Sequence, residues 1–180
     1  MRCRTATTRA GDDVHRLLKQ PIRVFGLFNI EAAANVSIEE GEAAVFRPGP
    51  GTFRLIAKVW EPLGFPWTAV DLGDLDALVT DWPDDTGMVW LETPTNPLLT
   101  CFDIEAIAEL AHARGAIVVV DNTFATPYLQ RPLELGADLV VHSATKFLAG
   151  HSDVTAGVVA GAGEAIAAIR RTMIVSGGCL

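Results

Sequence analysis

The sequence has little cysteine and no long apolar run. Its three cysteines, Cys3, Cys101 and Cys179, stand far apart in 180 residues, so neither a disulfide framework nor a Cys-x-x-Cys metal site is indicated. The longest apolar tracts fall short of the ~20 residues that a membrane-spanning helix needs. No apolar segment follows the arginines near the start, as it would in a signal peptide. We therefore expect a cytoplasmic protein without a membrane partner.

Basic side chains are also scarce relative to acidic ones. The chain has 14 lysines and arginines against 22 aspartates and glutamates, a net charge of −8, which argues against a nucleic-acid partner. With 49% hydrophobic residues the composition is globular, and one domain of this size can bury a sufficient core without a metal or a disulfide. No metal site is expected either, since His142 and His151 lack a ligand spacing.

Beyond a turn cluster at 47–51, the candidate internal boundary, hydrophobic patterns recur regularly. Apolar, β-branched runs without alternation are typical of strands buried on both faces of a parallel sheet. Repeated strand–helix–strand units then predict an α/β fold with a mostly parallel sheet and flanking helices. The predicted strands are 67–71, 88–92, 116–121, 138–142 and 157–160. The predicted helices are 14–19, 30–41, 52–63, 74–80, one that begins after Asp103 and ends before Gly115, and 163–173.

Polar side chains follow three of these predicted strands, at the sheet edge where α/β proteins bind ligands. Glu92 and Asn96 follow the second strand, Asp121 ends the third, and the segment from His142 to Lys146 follows the fourth. A carboxylate, an amide, hydroxyls and a lysine are thus expected to meet. Glu92 is interpreted as an orienting residue and His142 as a core histidine.

Lysine is rare here, and its position is therefore informative. Of the three lysines, Lys19 and Lys58 are interpreted as surface charges, whereas Lys146 enters a loop of small residues after a buried strand. A partly desolvated lysine there is a candidate Schiff-base nucleophile. The alternative is a lysine that pairs with a surface acid.

Asp121 has two interpretations as well. It caps the turn after its strand, or it pairs with a buried cation such as the protonated pyridine nitrogen of pyridoxal phosphate (PLP). Ser143 and Thr145 could then donate to the phosphate, although hydroxyls are common at such turns without a ligand. Asn96, which stands before a proline in Thr-Pro-Thr-Asn-Pro, is most simply a turn residue.

Two rival motifs are weaker. Ser143-x-x-Lys146 matches the S-x-x-K of penicillin-binding enzymes, but no K-T-G follows it. Gly161-Ala162-Gly163 begins like a dinucleotide fingerprint, but Ile166 stands at the third glycine position.

Three segments together resemble the Cys/Met-metabolism family of PLP enzymes, the group of cystathionine γ-synthases, cystathionine lyases and methionine γ-lyases. They are LETPTNP (91–97), VVDNTFATPYLQRPLELGAD (119–138) and VVHSATKFLAGHSDV (140–154). The resemblance extends from about Thr52 to Gly161. It implies the large PLP-binding domain of fold-type I (aspartate-aminotransferase-like) enzymes, a small amino-acid substrate, and a homo-oligomer, in this family a tetramer.

The resemblance also implies roles for individual residues. Lys146 corresponds to the lysine that binds PLP covalently and then moves protons. Asp121 corresponds to the partner of the pyridine nitrogen and Asn96 to the residue that touches the ring oxygen, while Ser143 and Thr145 correspond to phosphate ligands.

The chain departs from the family pattern in four places. A serine-glycine-methionine phosphate loop and a Tyr-Ser-Arg segment are not found, and the stacking aromatic falls on Gly49. The chain ends at Leu180, before the C-terminal domain of family members. We therefore expect 1–47 to be a poorly matched N-terminal segment and 48–180 a partial PLP-binding domain. The implied function is a trans-sulfuration-type enzyme acting on sulfur amino acids or activated homoserine. The alternative is a catalytically inactive remnant or an interaction subunit.

Overall fold

The computed structural model describes residues 43–47, 50–64 and 66–176. The predicted helices 14–19 and 30–41, and the position of Gly49, lie outside the described residues. Among the described helices, none combines the length and the apolar character that crossing a membrane would require.

A six-stranded sheet, in the order β2-β1-β3-β4-β5-β6, forms the centre of the described structure. The first five strands in this order pair in parallel with their neighbours, and β6 runs antiparallel to β5. The predicted α/β class and mostly parallel sheet are therefore confirmed. The strands are β1 Ala43–Arg47, β2 Trp67–Ala69, β3 Thr86–Glu92, β4 Ile117–Asp121, β5 Leu139–Ser143 and β6 Gly157–Gly161.

Helical segments connect and cover the strands. The helix predicted at 52–63 is present, but it changes form twice along its length. The segments are α1 Pro50–Leu55 with the π-helical Ile56–Trp60 and the 3-10 turn Glu61–Leu63, α2 Leu75–Thr80, α3 Ile104–His112, α4 Thr126–Leu129, the 3-10 turn Pro132–Leu135, the π-helical turn Ala144–Leu148 and α5 Gly163–Ser176.

Local chemistry explains where α3 begins and ends. The Asp103 carboxylate accepts the backbone N–H of Ala106 at 3.0 Å, which satisfies one of the amides left free at a helix start. Gly115 adopts φ +80° just beyond the helix, a conformation that favours glycine. Between these ends Ile104, Ile107, Ala108 and Ala111 form the buried stripe. Each of these features was predicted from the sequence.

Two apolar cores lie on opposite faces of the sheet. On one face Leu91, Val118, Val120 and Val140 pack with α3. On the other, Met88, Trp90, Val119 and Val141 pack with Ile56 and with Ile169 of α5. This burial on both faces is the physical reason why the strands are apolar without alternation.

Strand β1 was not predicted. Residues 43–47 pair in parallel with β2 on one side and with β3 on the other. The predicted boundary at 47–51 directly follows this strand, and the division of the chain there stays a prediction.

Candidate functional site

The carboxyl ends of β3, β4 and β5 lie side by side and present polar side chains to one face of the sheet. Glu92 is the register partner of Asp121, and Asp121 is the partner of Val141. Because alternate residues of a strand share a face, Ser143 lies on the same face as Val141. Glu92, Asp121 and Ser143 therefore end three adjacent strands on the face that packs against Ile56 and α5.

Asp121 carries a carboxylate in an unfavourable environment. Burial raises the pKa of Asp121, and hydrogen bonds from the side chain and the backbone of Thr123 and the charge of His142 only partly oppose the rise. Its Oδ1 accepts the Thr123 N–H at 3.0 Å, as predicted for a turn cap. Within the described part of the chain Asp121 forms no ion pair. A cation placed here would therefore be strongly favoured.

Thr123 is the residue of this site to which the sequence reasoning gave no role. Its Oγ1 accepts the backbone N–H of Ser143 at 2.7 Å, and its own backbone binds Asp121. A hydroxyl two residues after a strand-ending aspartate was the available signal. The Ser143 hydroxyl itself has no hydrogen-bond partner among the residues that the structure describes, so it can donate to a ligand.

Thr145 differs from Ser143 because its hydroxyl is already engaged. The Ala156 N–H donates to Thr145 Oγ1 at 2.9 Å, and this hydroxyl donates to the Ala156 carbonyl at 3.3 Å. The bonds tie the turn after β5 to the start of β6. A phosphate would have to replace the longer bond to receive the Thr145 proton.

Lys146 lies in the π-helical turn Ala144–Leu148 and is exposed. The partial burial expected for this side chain is therefore not found. In the described residues Lys146 has no ion pair. Its neighbour Phe147 packs edge-to-face on Phe124, with 5.7 Å between the ring centroids, which joins the loops after β4 and β5.

Asn96 lies in the loop after β3 and is exposed. Its backbone N–H donates to the Glu92 carboxylate at 3.1 Å, so Glu92 does orient a neighbour as predicted. No contact of the Asn96 side chain with the other candidate residues is observed in the described part of the chain.

His142 alternates to the opposite face of β5 and is 6% exposed. Burial lowers the pKa of His142, and the charge of Asp121 opposes that decrease. Among the described residues its Nδ1 has no hydrogen-bond partner. The core location was predicted, whereas the unsatisfied nitrogen was not.

Comparison with known proteins extends these observations. Residues 29–180 match the model of a family described as Cys/Met metabolism PLP-dependent enzyme. A cystathionine β-lyase of Lactococcus lactis is 54% identical over 109 residues, which cover 61% of this chain and 29% of the relative. A cystathionine γ-synthase of Mycobacterium tuberculosis is 52% identical over 126 residues, which cover 64% of this chain and 32% of the relative.

A solved structure shows the same similarity in three dimensions. The cystathionine γ-lyase of Lactobacillus plantarum, in complex with L-serine, superposes with a TM-score of 0.77 at 40% identity and covers 93% of this chain. The superposition covers 45% of the solved chain. The chain thus spans less than half of the length of these proteins.

Proposed function

The chain belongs to the Cys/Met metabolism PLP-dependent enzyme family, and on that premise we propose that it serves a trans-sulfuration-type reaction on sulfur amino acids or activated homoserine. The observation that carries the proposal is the placement of Glu92, Asp121 and Ser143 at three adjacent strand ends on one face. The relatives named above, a β-lyase, a γ-synthase and a γ-lyase, support the reaction class.

Five residues would hold PLP. Lys146 would bind it covalently through Nζ, and Asp121 would pair with its pyridine nitrogen. Asn96 would contact the ring oxygen, and Ser143 and Thr145 would donate to the phosphate. These assignments follow the matched motifs, position by position.

The donor set fits this cofactor. The raised pKa of Asp121 reflects a buried carboxylate without a cation in the described residues, and a protonated pyridine nitrogen would supply that cation. The Ser143 hydroxyl is available as a phosphate donor, and the exposed amine of Lys146 is accessible to an aldehyde.

Each side chain then has a definite task. PLP, when bound, supplies the electron sink that acidifies the α-hydrogen of an amino acid. Asp121 would keep the pyridine nitrogen protonated through its negative charge. Nζ of Lys146, when unbound, would accept the α-proton of the amino acid and donate a proton back to it. Glu92 accepts the backbone N–H of Asn96 and so would hold in place the residue that contacts the ring oxygen.

The second candidate function is a non-catalytic family member that binds PLP weakly. It is favoured by the sequence, which has Gly49 where the stacking aromatic belongs and no serine-glycine-methionine phosphate loop. The engaged hydroxyl of Thr145 favours it too. Charge-assisted bonds to a phosphate are worth roughly 1.5–3 kcal/mol each.

We further propose a homo-oligomer in the cytoplasm, in line with the family resemblance. Large apolar side chains stand exposed in the loops after β3, β4 and β5, where a second copy of the chain would cover them. They include Leu98 at 79% exposure, Tyr128 at 91% and Phe147 at 60%. Exposed apolar side chains on three loops at one sheet edge support such an interface. A Tyr128→Asp variant that sediments as a smaller species than the wild-type chain would support this assembly. If the wild type and the variant both sediment as monomers, the assembly is contradicted.

Titration of PLP into the purified chain, followed by visible absorbance, tests the proposal. We expect saturable binding with an affinity about a hundredfold lower than the complete set of family contacts would give, because two or more phosphate and ring contacts of the family pattern are missing. The Lys58→Ala variant should retain the absorbance band and Lys146→Ala should lose it. A colourless wild-type chain at saturating PLP would overturn the proposal. Elimination from activated homoserine by the PLP-loaded chain would refute the second candidate, which binds PLP without catalysis.

A further inference from the structure

We infer that Gln130 is a positioning residue that fixes the ends of β3 and β4 relative to each other and so sets the geometry of the site. This inference rests on the proposed function for its purpose, but its contacts stand on their own. Gln130 Nε2 donates to the Thr93 carbonyl at 2.8 Å and to Asn122 Oδ1 at 2.9 Å. In return, Asn122 Nδ2 donates to the Gln130 carbonyl at 2.9 Å.

The two residues bound by Gln130 each directly follow a residue of the site. Thr93 comes after Glu92, and Asn122 comes after Asp121. Both Thr93 and Asn122 are fully buried, with 0% exposure. In such an environment an amide that loses its partner finds no water in its place, so one glutamine amide joins the two strand ends tightly.

The network continues into the loop that carries Asn96. The Phe102 N–H donates to Thr93 Oγ1 at 2.9 Å, and the Thr95 N–H donates to the Thr100 carbonyl at 2.9 Å. The two ends of the loop from Thr93 to Phe102 are therefore hydrogen-bonded to each other, and Gln130 binds this loop at Thr93. Any shift of Thr93 moves the proposed ring-oxygen contact relative to Asp121.

The segment that returns Gln130 to the site is itself strained. Thr126 adopts φ +61°, which is rare for a β-branched residue. The Thr126 N–H donates to the Asn122 carbonyl at 2.9 Å, and the Gln130 N–H donates to the Thr126 carbonyl at 3.1 Å. Strain of this kind persists where the surrounding structure requires it, typically at functional sites. Here the turn at Thr126 places Gln130 within hydrogen-bond distance of Asn122.

Hydrogen exchange of the chain without PLP, together with PLP titration, tests the inference. The Gln130→Glu variant keeps the shape of the side chain but removes its N–H donors. We expect backbone amides in 93–102 and 122–126 to exchange at least about tenfold faster, with no change in α3. At a temperature where all variants are folded, the apparent affinity for PLP should fall about tenfold.

The matched control is Glu134→Gln, the reverse change at an exposed residue four positions away. Glu134 forms an ion pair with Arg131, and the two side chains are 62% and 68% exposed. Neither the amide exchange nor the PLP affinity should therefore change. If the partly buried carboxylate prevents folding, the Gln130→Met variant is used instead, because it keeps the side-chain length without a donor. In a double-mutant cycle with Asn122→Ala the effects should be strongly non-additive, because both changes break the same network.

The outcomes separate this inference from the proposed function. Faster exchange spread evenly over the whole chain, unchanged exchange, or additive effects in the cycle would overturn the positioning role. If exchange becomes faster only in 93–102 and 122–126 but the wild-type chain does not bind PLP, the positioning role of Gln130 is supported and the proposed cofactor is refuted.

Discussion

The backbone N–H of Ser143 donates to Oγ1 of Thr123 at 2.7 Å and fastens the end of β5 to the loop after β4. Thr123 also binds Asp121 through its backbone N–H, 3.0 Å from Oδ1. One threonine thus connects the carboxylate proposed to bind the pyridine nitrogen with the serine proposed to bind the phosphate.

Thr123→Val should destabilise the chain, because it leaves the Ser143 N–H without an acceptor. We expect a loss of about 1–3 kcal/mol in the free energy of unfolding, measured with urea, and little loss for Thr123→Ser. The control is Thr80→Val, which removes an exposed hydroxyl that donates to the Asp76 carbonyl at 3.0 Å. Equal losses at the two threonines would contradict the role given to Thr123.

Asp121→Asn should stabilise the chain in the absence of PLP. The folded-state pKa of Asp121 is raised above the ordinary 3.8, so its stabilising contribution is complete below pH 3.8 and is lost as the pH rises through the raised pKa. The variant should therefore melt at a higher temperature than wild type at neutral pH, and the difference should vanish in acid.

The same Asp121→Asn change should weaken PLP binding by about tenfold or more, since a charge-assisted bond is worth roughly 1.5–3 kcal/mol. Turnover of a bound amino acid should slow as well, because the neutral amide no longer keeps the pyridine nitrogen protonated. A variant that melts and binds PLP like wild type would show that Asp121 is only a turn cap.

Most of the regular structure follows from short-range rules. The α3 boundaries follow from the Asp103 cap and Gly115, and the three buried strands β3, β4 and β5 follow from their apolar runs. Strand β1 was missed because a run of five residues is too short for its periodicity to tell a strand from a helix, and the strand is recognised by its pairing with β2 and β3. Tertiary contact decided that segment, not local preference.

The candidate site divides in the same way. The strand ends that carry Glu92, Asp121 and Ser143 were predictable, because parallel strands place their carboxyl ends at one edge. The contacts of Thr123 and Gln130 were not predictable, because they join positions 20 and 37 residues apart. The hydrogen bond of the Thr145 hydroxyl was not predictable either, because its partner Ala156 lies 11 residues further along the chain.

His142 should make the stability of the chain pH-dependent. Burial lowers its folded-state pKa below the ordinary 6.5, so its contribution is present above pH 6.5 and is lost as the pH falls through the lowered pKa. His142→Phe keeps an aromatic ring of similar volume and removes the titration. The free energy of unfolding of wild type relative to this variant should fall as the pH decreases below 6.5. A constant difference would contradict the lowered pKa of His142.

Ser143 and Thr145 should respond differently to loss of their hydroxyls. Ser143→Ala should leave the free energy of unfolding within about 0.5 kcal/mol of wild type and lower the PLP affinity by about tenfold. Thr145→Val should lower both, with a loss of about 1–3 kcal/mol in stability, because the Ala156 N–H loses its acceptor. Inorganic phosphate as a competitor checks that the affinity change concerns the phosphate. Identical behaviour of the two variants would contradict the distinction between a free and an engaged hydroxyl.

The central claim is that this sheet edge holds PLP covalently through Lys146. Borohydride reduction of the PLP-treated chain, followed by peptide mass mapping, tests it most directly, because the reduced bond survives digestion and identifies the lysine. The result predicted is a single adduct on the peptide that contains Lys146. An adduct on Lys58 or Lys19, with Lys146 unmodified, would contradict the account.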